Sequence, residues 1–142
     1  MEQILSLILA TILNVTDGNT LKVKIDNRTV TIKLACIYAP TMNQKPWGEK
    51  SKRTLEQLAP KGQAIKIKNM RNRQGVEKVG EVFNNRININ LEMVKKGQAV
   101  VYLEDMSDCN QTAYVNAENT AKRQKLGFWN QANPIMPWDY RR

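Results

Sequence analysis

Between residues 10 and 38, apolar and polar side chains alternate in two successive runs. Leu21, Val23 and Ile25 interleave with Lys22, Lys24 and Asp26, and after Asp26-Asn27 the pattern resumes through Val30, Ile32 and Leu34. A period of two sends alternate side chains to opposite faces of a strand, so the pattern demands a sheet with one buried face. The spacing predicts an antiparallel meander that turns at Asp17-Gly18 and Asp26-Asn27, both turn-forming pairs.

The period then changes. Trp47, Ser51, Thr54, Leu55 and Leu58 share one helical face, with Pro46 before them and Lys61-Gly62 after, which predicts a helix over 46–59. Strand periodicity returns in Ala64-Ile65-Lys66-Ile67-Lys68 and over Val79 to Phe83, around a basic, turn-rich loop at Arg71–Gly75. Asn88 or Asn90 caps a short helix carrying Leu91 and Val94 and stopped at Gly97. A strand-like Ala99–Leu103 precedes a last helix from about Thr112 to Leu126, whose Ala113, Ala117 and Ala121 form a small-residue face ended by Gly127. At 142 residues with no internal repeat, this order fits one α+β domain at 10–142, a closed five-stranded OB-type barrel with three helices, after an extension at 1–9.

Composition limits the chemistry. Histidine is absent, which removes imidazole as metal ligand and as general base, together with every triad built on it. Cys36 and Cys109 lack zinc-site spacing; Cys36, in an apolar run, reads as a small core residue, and nothing in the sequence argues for or against its pairing with Cys109. The net charge of +9 favours a polyanionic partner. The apolar start, MEQILSLILATIL, is too short to span a bilayer and lacks a basic leader region, so it reads as a strand; the default compartment is cytoplasmic, with export as the alternative.

Several stretches together resemble the staphylococcal nuclease (thermonuclease) family. ATILNVTDGNTLKV is similar to its first strand and DGDT turn, TIKLACIYAPT to its RLxGIDAPE segment, and EKVGEV to its DRYGRxL segment. NINLEMVKKGQAVV is similar to its second helix, and GFWNQ and PWDYRR to its GLW and PxxYR endings. The resemblance runs in order through about residues 10–142 and implies an OB barrel that hydrolyses phosphodiesters. It further implies a calcium ion on two aspartates, a glutamate that activates water and two arginines on the phosphate. Hard oxygens suit Ca²⁺, and guanidinium forks neutralise charge that grows in the transition state.

Position by position, those groups are replaced. The two liganding aspartates correspond to Asn19 and Tyr38, the glutamate to Thr41, and the arginines to Lys33 and Glu81; Asp17 of the turn persists. Asn19 carries no charge, Tyr38 is a neutral phenol, Thr41 is no base, Lys33 cannot form a fork and Glu81 reverses the sign. The expectation is a pseudo-nuclease with no metal, its Ca²⁺ site lost.

Binding is the function that such a barrel retains. From Lys45 to Lys78, basic residues (Lys45, Lys50, Lys52, Arg53, Lys61, Lys66, Lys68, Arg71, Arg73, Lys78) outweigh Glu49, Glu56 and Glu77. With Lys33 and Tyr38, the set Lys45, Lys66, Lys68, Arg71, Arg73 and Lys78 forms a candidate track for DNA or RNA. Tyr38 either stacks a base or plugs the former site; Trp47 and Trp129 read as packing residues, and Trp138 and Tyr140 as a tail that folds back or meets a partner. Glu77 and Glu81, like Glu104-Asp105-Met106-Ser107-Asp108, read as solvated. Two further functions compete: an accessory subunit that meets a protein through Met1–Leu9, and a divergent metal-dependent phosphodiesterase.

Overall fold

In the computed structural model, residues 7–73 and 77–140 are described. Strands β1 (Leu7–Asp17), β2 (Thr20–Ile25) and β3 (Arg28–Leu34) form the meander, turning where the sequence predicts. Two later strands, β5 (Ala64–Arg73) and β6 (Glu77–Asn84), complete the sheet in the order β3-β2-β1-β5-β6. A parallel pairing of Ile32–Leu34 with Lys78–Gly80 closes it into a five-stranded barrel. The inward residues Ile12, Leu21, Val23, Ile32, Ile65, Ile67 and Val82 are at most 2% exposed and make the core.

Helix α1 (Trp47–Leu58), N-capped by Pro46, buries Gly48, Ser51 and Leu55. Asn88 caps α2 (Ile89–Lys95), its side chain accepting from the Leu91 N–H at 3.0 Å. Asn90, fully buried, does something else. Its amide donates to the carbonyls of Ala35 and Gly80 and accepts from the Val82 N–H, stitching the barrel to α2. Helix α3 (Gln111–Arg123) ends three residues before the expected Leu126, because Lys125 turns left-handed at φ 55°. The short strands β4 (Ile37–Tyr38) and β8 (Val100–Val101) pair antiparallel, and a final short strand, β7 (Ile87–Asn88), extends the β6 edge. No described helix is long and apolar enough to cross a membrane.

Two expectations change, and one pairing the sequence left open is formed. First, Leu7–Thr11 of β1 pair with Lys68–Ala64, so residues 7–9 of the expected extension 1–9 lie in the barrel. Second, Arg71–Arg73 lie in β5 rather than in a loop; a bulge between Lys68 and Arg71, with Asn69 at φ 55°, carries the strand past the expected break. The remainder of that expected loop, residues 74–76, lies outside the described residues.

Cys36 and Cys109 are joined in a disulfide spanning a sequence separation of 73. Cys36 is 1% exposed, as a core residue should be, and the fold brings Cys109 against it just ahead of α3.

Candidate functional site

The β1–β2 turn builds one wall of a cleft. Asp17 Oδ1 accepts from the Asn19 N–H at 2.8 Å, and Asn19 Oδ1 accepts from the Ala39 N–H at 3.1 Å, so one side chain closes the turn and the next ties it to the segment after β4. Gly18 is required for room: a Cβ there would lie 2.0 Å from Ser51 Oγ of α1 and 2.8 Å from the Ala39 Cβ. Register sets Lys33 opposite Thr20. Asp17, Asn19, Lys33, Tyr38, Thr41, Pro137 and Trp138 are among the residues lining a cleft of about 450 Å³.

The expected cluster is therefore assembled, except for Glu81. That residue is 4% exposed and does not line the cleft. Its carboxylate accepts from the Tyr114 hydroxyl of α3 and, at 2.8 Å, from the Asn88 amide. The helices beyond β6 cover this position and supply its donors, so Glu81 is neither a solvated turn residue nor a charge set against a phosphate. Burial first, and then the neighbouring carboxylate, pushes the Tyr114 phenol far above its usual value.

An aromatic wall closes the other side. The Tyr38 ring lies 4.8 Å from Tyr102 and 6.0 Å from Trp138, and Tyr102 lies 5.2 Å from Trp138. These centroid separations suit tilted aromatic packing. The tail folds back to deliver Trp138: Gln44 Nε2 donates to the Ile135 carbonyl at 2.6 Å and the Tyr140 hydroxyl donates to the Asn43 carbonyl at 3.0 Å. Trp138 lines the cleft and stays 37% exposed. Trp47 and Trp129 pack against Phe128 instead, 6.3 and 5.4 Å away. Tyr102 escaped the sequence reading, since its only signal is a place at the end of a two-residue strand that pairs with β4.

The basic residues do not form one track. Arg71 binds Asp105 at 2.7 Å and also Asp108, and Arg73 binds Glu77 at 2.8 Å and Asp105 at 3.1 Å. Both arginines, expected on nucleic acid, are thus clamped within the protein, and the acidic stretch expected to be solvated is the clamp. Arg73 also sits 5.7 Å from the Tyr38 ring centroid. Lys78 donates to the Asn72 side chain at 2.8 Å. Lys66 and Lys68 pair with Leu9 and Leu7, at the opposite end of β1 from Asp17. In the closed barrel Lys68 lies opposite Glu81 and Lys66 opposite Phe83, and neither lysine lines the cleft. Lys45 is exposed in the loop ahead of α1.

The donors do not fit the calcium site that the resemblance implies. Among the described residues, Asp17 is the only carboxylate lining the cleft. One of its oxygens closes the turn, and the Asn19 oxygen is taken by the Ala39 N–H. What Asn19 has left is Nδ2, a buried donor with no partner among the described residues. A hard dication needs several oxygen ligands, preferably anionic. Among the described residues no three His, Cys, Asp or Glu side chains converge.

Comparison with known proteins settles the ancestry. The staphylococcal nuclease homologue family matches residues 28–131. The chain belongs to the staphylococcal nuclease family. An "Uncharacterized endonuclease" of Haemophilus influenzae is 34% identical over 137 residues, covering 92% of this chain and 71% of that protein. An "Uncharacterized endonuclease" of Escherichia coli O157:H7 is 29% identical over 131 residues, covering 92% and 82%. A "Micrococcal nuclease" of Shigella flexneri is 28% identical over 140 residues, covering 92% and 79%. A member of this nuclease family thus carries Asn19, Tyr38 and Thr41 in the cleft of its barrel, and Glu81 outside it.

Proposed function

We propose that this member of the staphylococcal nuclease family binds nucleic acid without cleaving it. The observation that carries the reading is the make-up of the cleft: one carboxylate, already engaged in a turn, beside Lys33 and the rings of Tyr38 and Trp138, against which Tyr102 packs. Loss of a general base costs about 10²- to 10⁴-fold, and loss of a transition-state donor about 10²- to 10³-fold. These factors do not simply multiply, yet together they remove most of an enzyme's advantage. Stacking and phosphate contacts, by contrast, need only rings and cations, which this cleft and the +9 surface supply.

The disulfide favours export or another oxidising compartment over the cytoplasmic default, because such bridges persist where thiols are not kept reduced. The relatives' names favour a second reading, a phosphodiesterase with an altered site.

A titration of labelled single-stranded DNA, duplex DNA and RNA, with and without Ca²⁺ or Mg²⁺ and at two salt concentrations, separates the readings. The expected result is salt-sensitive binding with intact nucleic acid. Metal-dependent cleavage abolished by Asp17→Ala establishes the phosphodiesterase instead. No binding at low salt overturns the nucleic-acid reading and favours a protein partner, for which Leu7 and Leu9, 50% and 70% exposed on β1, offer contact.

A further inference from the structure

We infer that the inner end of the cleft is an anion site that holds a phosphate oxygen directly, in the place where the family resemblance puts a cation. This rests on the nucleic-acid reading and adds the chemistry of contact. Asn19 is 6% exposed, and the orientation of its amide is set by the protein: the oxygen accepts from the Ala39 N–H, which leaves Nδ2 as donor. That donor is buried and has no partner among the described residues, as is true of the Thr41 hydroxyl, and both residues line the cleft. A buried donor left without an acceptor carries an appreciable desolvation cost, which an acceptor supplied by a ligand relieves. Lys33, lining the same cleft, adds a positive charge.

Two unpaired polar groups and an ammonium call for an oxygen-rich anion, and a charge-assisted bond to a phosphate is stronger than one to a neutral acceptor. Asp17 is the opposing charge. Its carboxylate also lines the cleft, though one oxygen is occupied by the Asn19 N–H. This gives substitutions at positions 17 and 19 opposite signatures in the two kinds of site. In a cation site, removal of Asp17 weakens binding and a carboxylate at position 19 strengthens it. In an anion site both effects reverse.

The test is binding of thymidine 5′-monophosphate against thymidine in EDTA, followed by ¹H–¹⁵N NMR of side-chain amides. The variants are Asp17→Asn and Asn19→Asp, which keep the oxygens that the turn uses, and separately Lys33→Met. The expected result is a preference of about tenfold or more for the monophosphate, a shift of the Asn19 side-chain resonance and no tightening by Ca²⁺. Asn19→Asp and Lys33→Met should each lose about tenfold, while Asp17→Asn binds more tightly. Equal affinity for nucleoside and nucleotide, a need for Ca²⁺, or weaker binding by Asp17→Asn overturns the anion site. Oligonucleotide binding at low salt, measured in parallel on the unaltered protein, separates the failures: if it persists without a monophosphate preference, only this inference falls, and if it is absent, the parent reading falls too.

Discussion

Removing the disulfide gives the largest expected change in stability. The bridge closes a loop of 73 residues in sequence separation, for which chain entropy predicts about 4 kcal/mol of stabilisation at 25 °C. For a chain of 142 residues, that corresponds to a melting point lower by roughly 12–15 °C. The structure adds a second, smaller effect. Cys36 lies in the left-handed region at φ 76°, which costs a non-glycine residue about 1–2 kcal/mol. Two double variants are therefore informative: Cys36→Ala with Cys109→Ala should lose most of the 4 kcal/mol, whereas Cys36→Gly with Cys109→Ala should recover about 1 kcal/mol. Urea unfolding of each, beside oxidised and reduced native protein, gives the free energies. Two free thiols in the unreduced protein would refute the bridge. A loss below about 1 kcal/mol with the bridge present would refute the loop-closure reasoning, and no gain from glycine would refute the strain.

The Tyr114–Glu81 pair should make the protein labile to alkali. The unfolded phenol ionises near 10, whereas the folded one is raised by burial and by Glu81, so its contribution is complete below about pH 10 and lost as pH rises beyond it, by up to about 1.4 kcal/mol per unit. Tyr114→Phe should flatten that limb in urea melts between pH 8 and 10.5 while costing about 1–3 kcal/mol at pH 7, since Glu81 loses a donor; an unchanged slope contradicts the assignment. For nucleic acid, Lys66→Ala with Lys68→Ala should lower the salt slope for long strands by about one unit per lysine in contact, yet leave a strand of about four nucleotides bound as before. Equal loss for short and long strands would show that these lysines act at the cleft.

Much of the site was legible in the chain itself. The alternation of β1 to β3 specifies a half-buried meander because neighbouring residues on a strand necessarily face opposite sides, and that constraint is local. The DGNT turn and the Tyr38-Ala39-Pro40-Thr41 segment mark the cleft for the same reason, since each lies where a strand ends. Glu81 was misread because period-two patterning says which side of β6 a residue faces, not what covers that side.

Tertiary structure alone decided the rest. Cys36 meets Cys109, Arg71 and Arg73 meet Asp105, Tyr114 meets Glu81, and Tyr38 meets Trp138 across long stretches of chain. None of these pairings follows from neighbours in sequence. Each depends on how the helices and the C-terminal tail settle on the barrel, which the packing of many side chains determines together. The sequence by itself determined the barrel and marked the residues that line its cleft. Only the fold decided which charges remain free to meet a ligand, because an ionic side chain takes whatever partner the closed structure brings within reach.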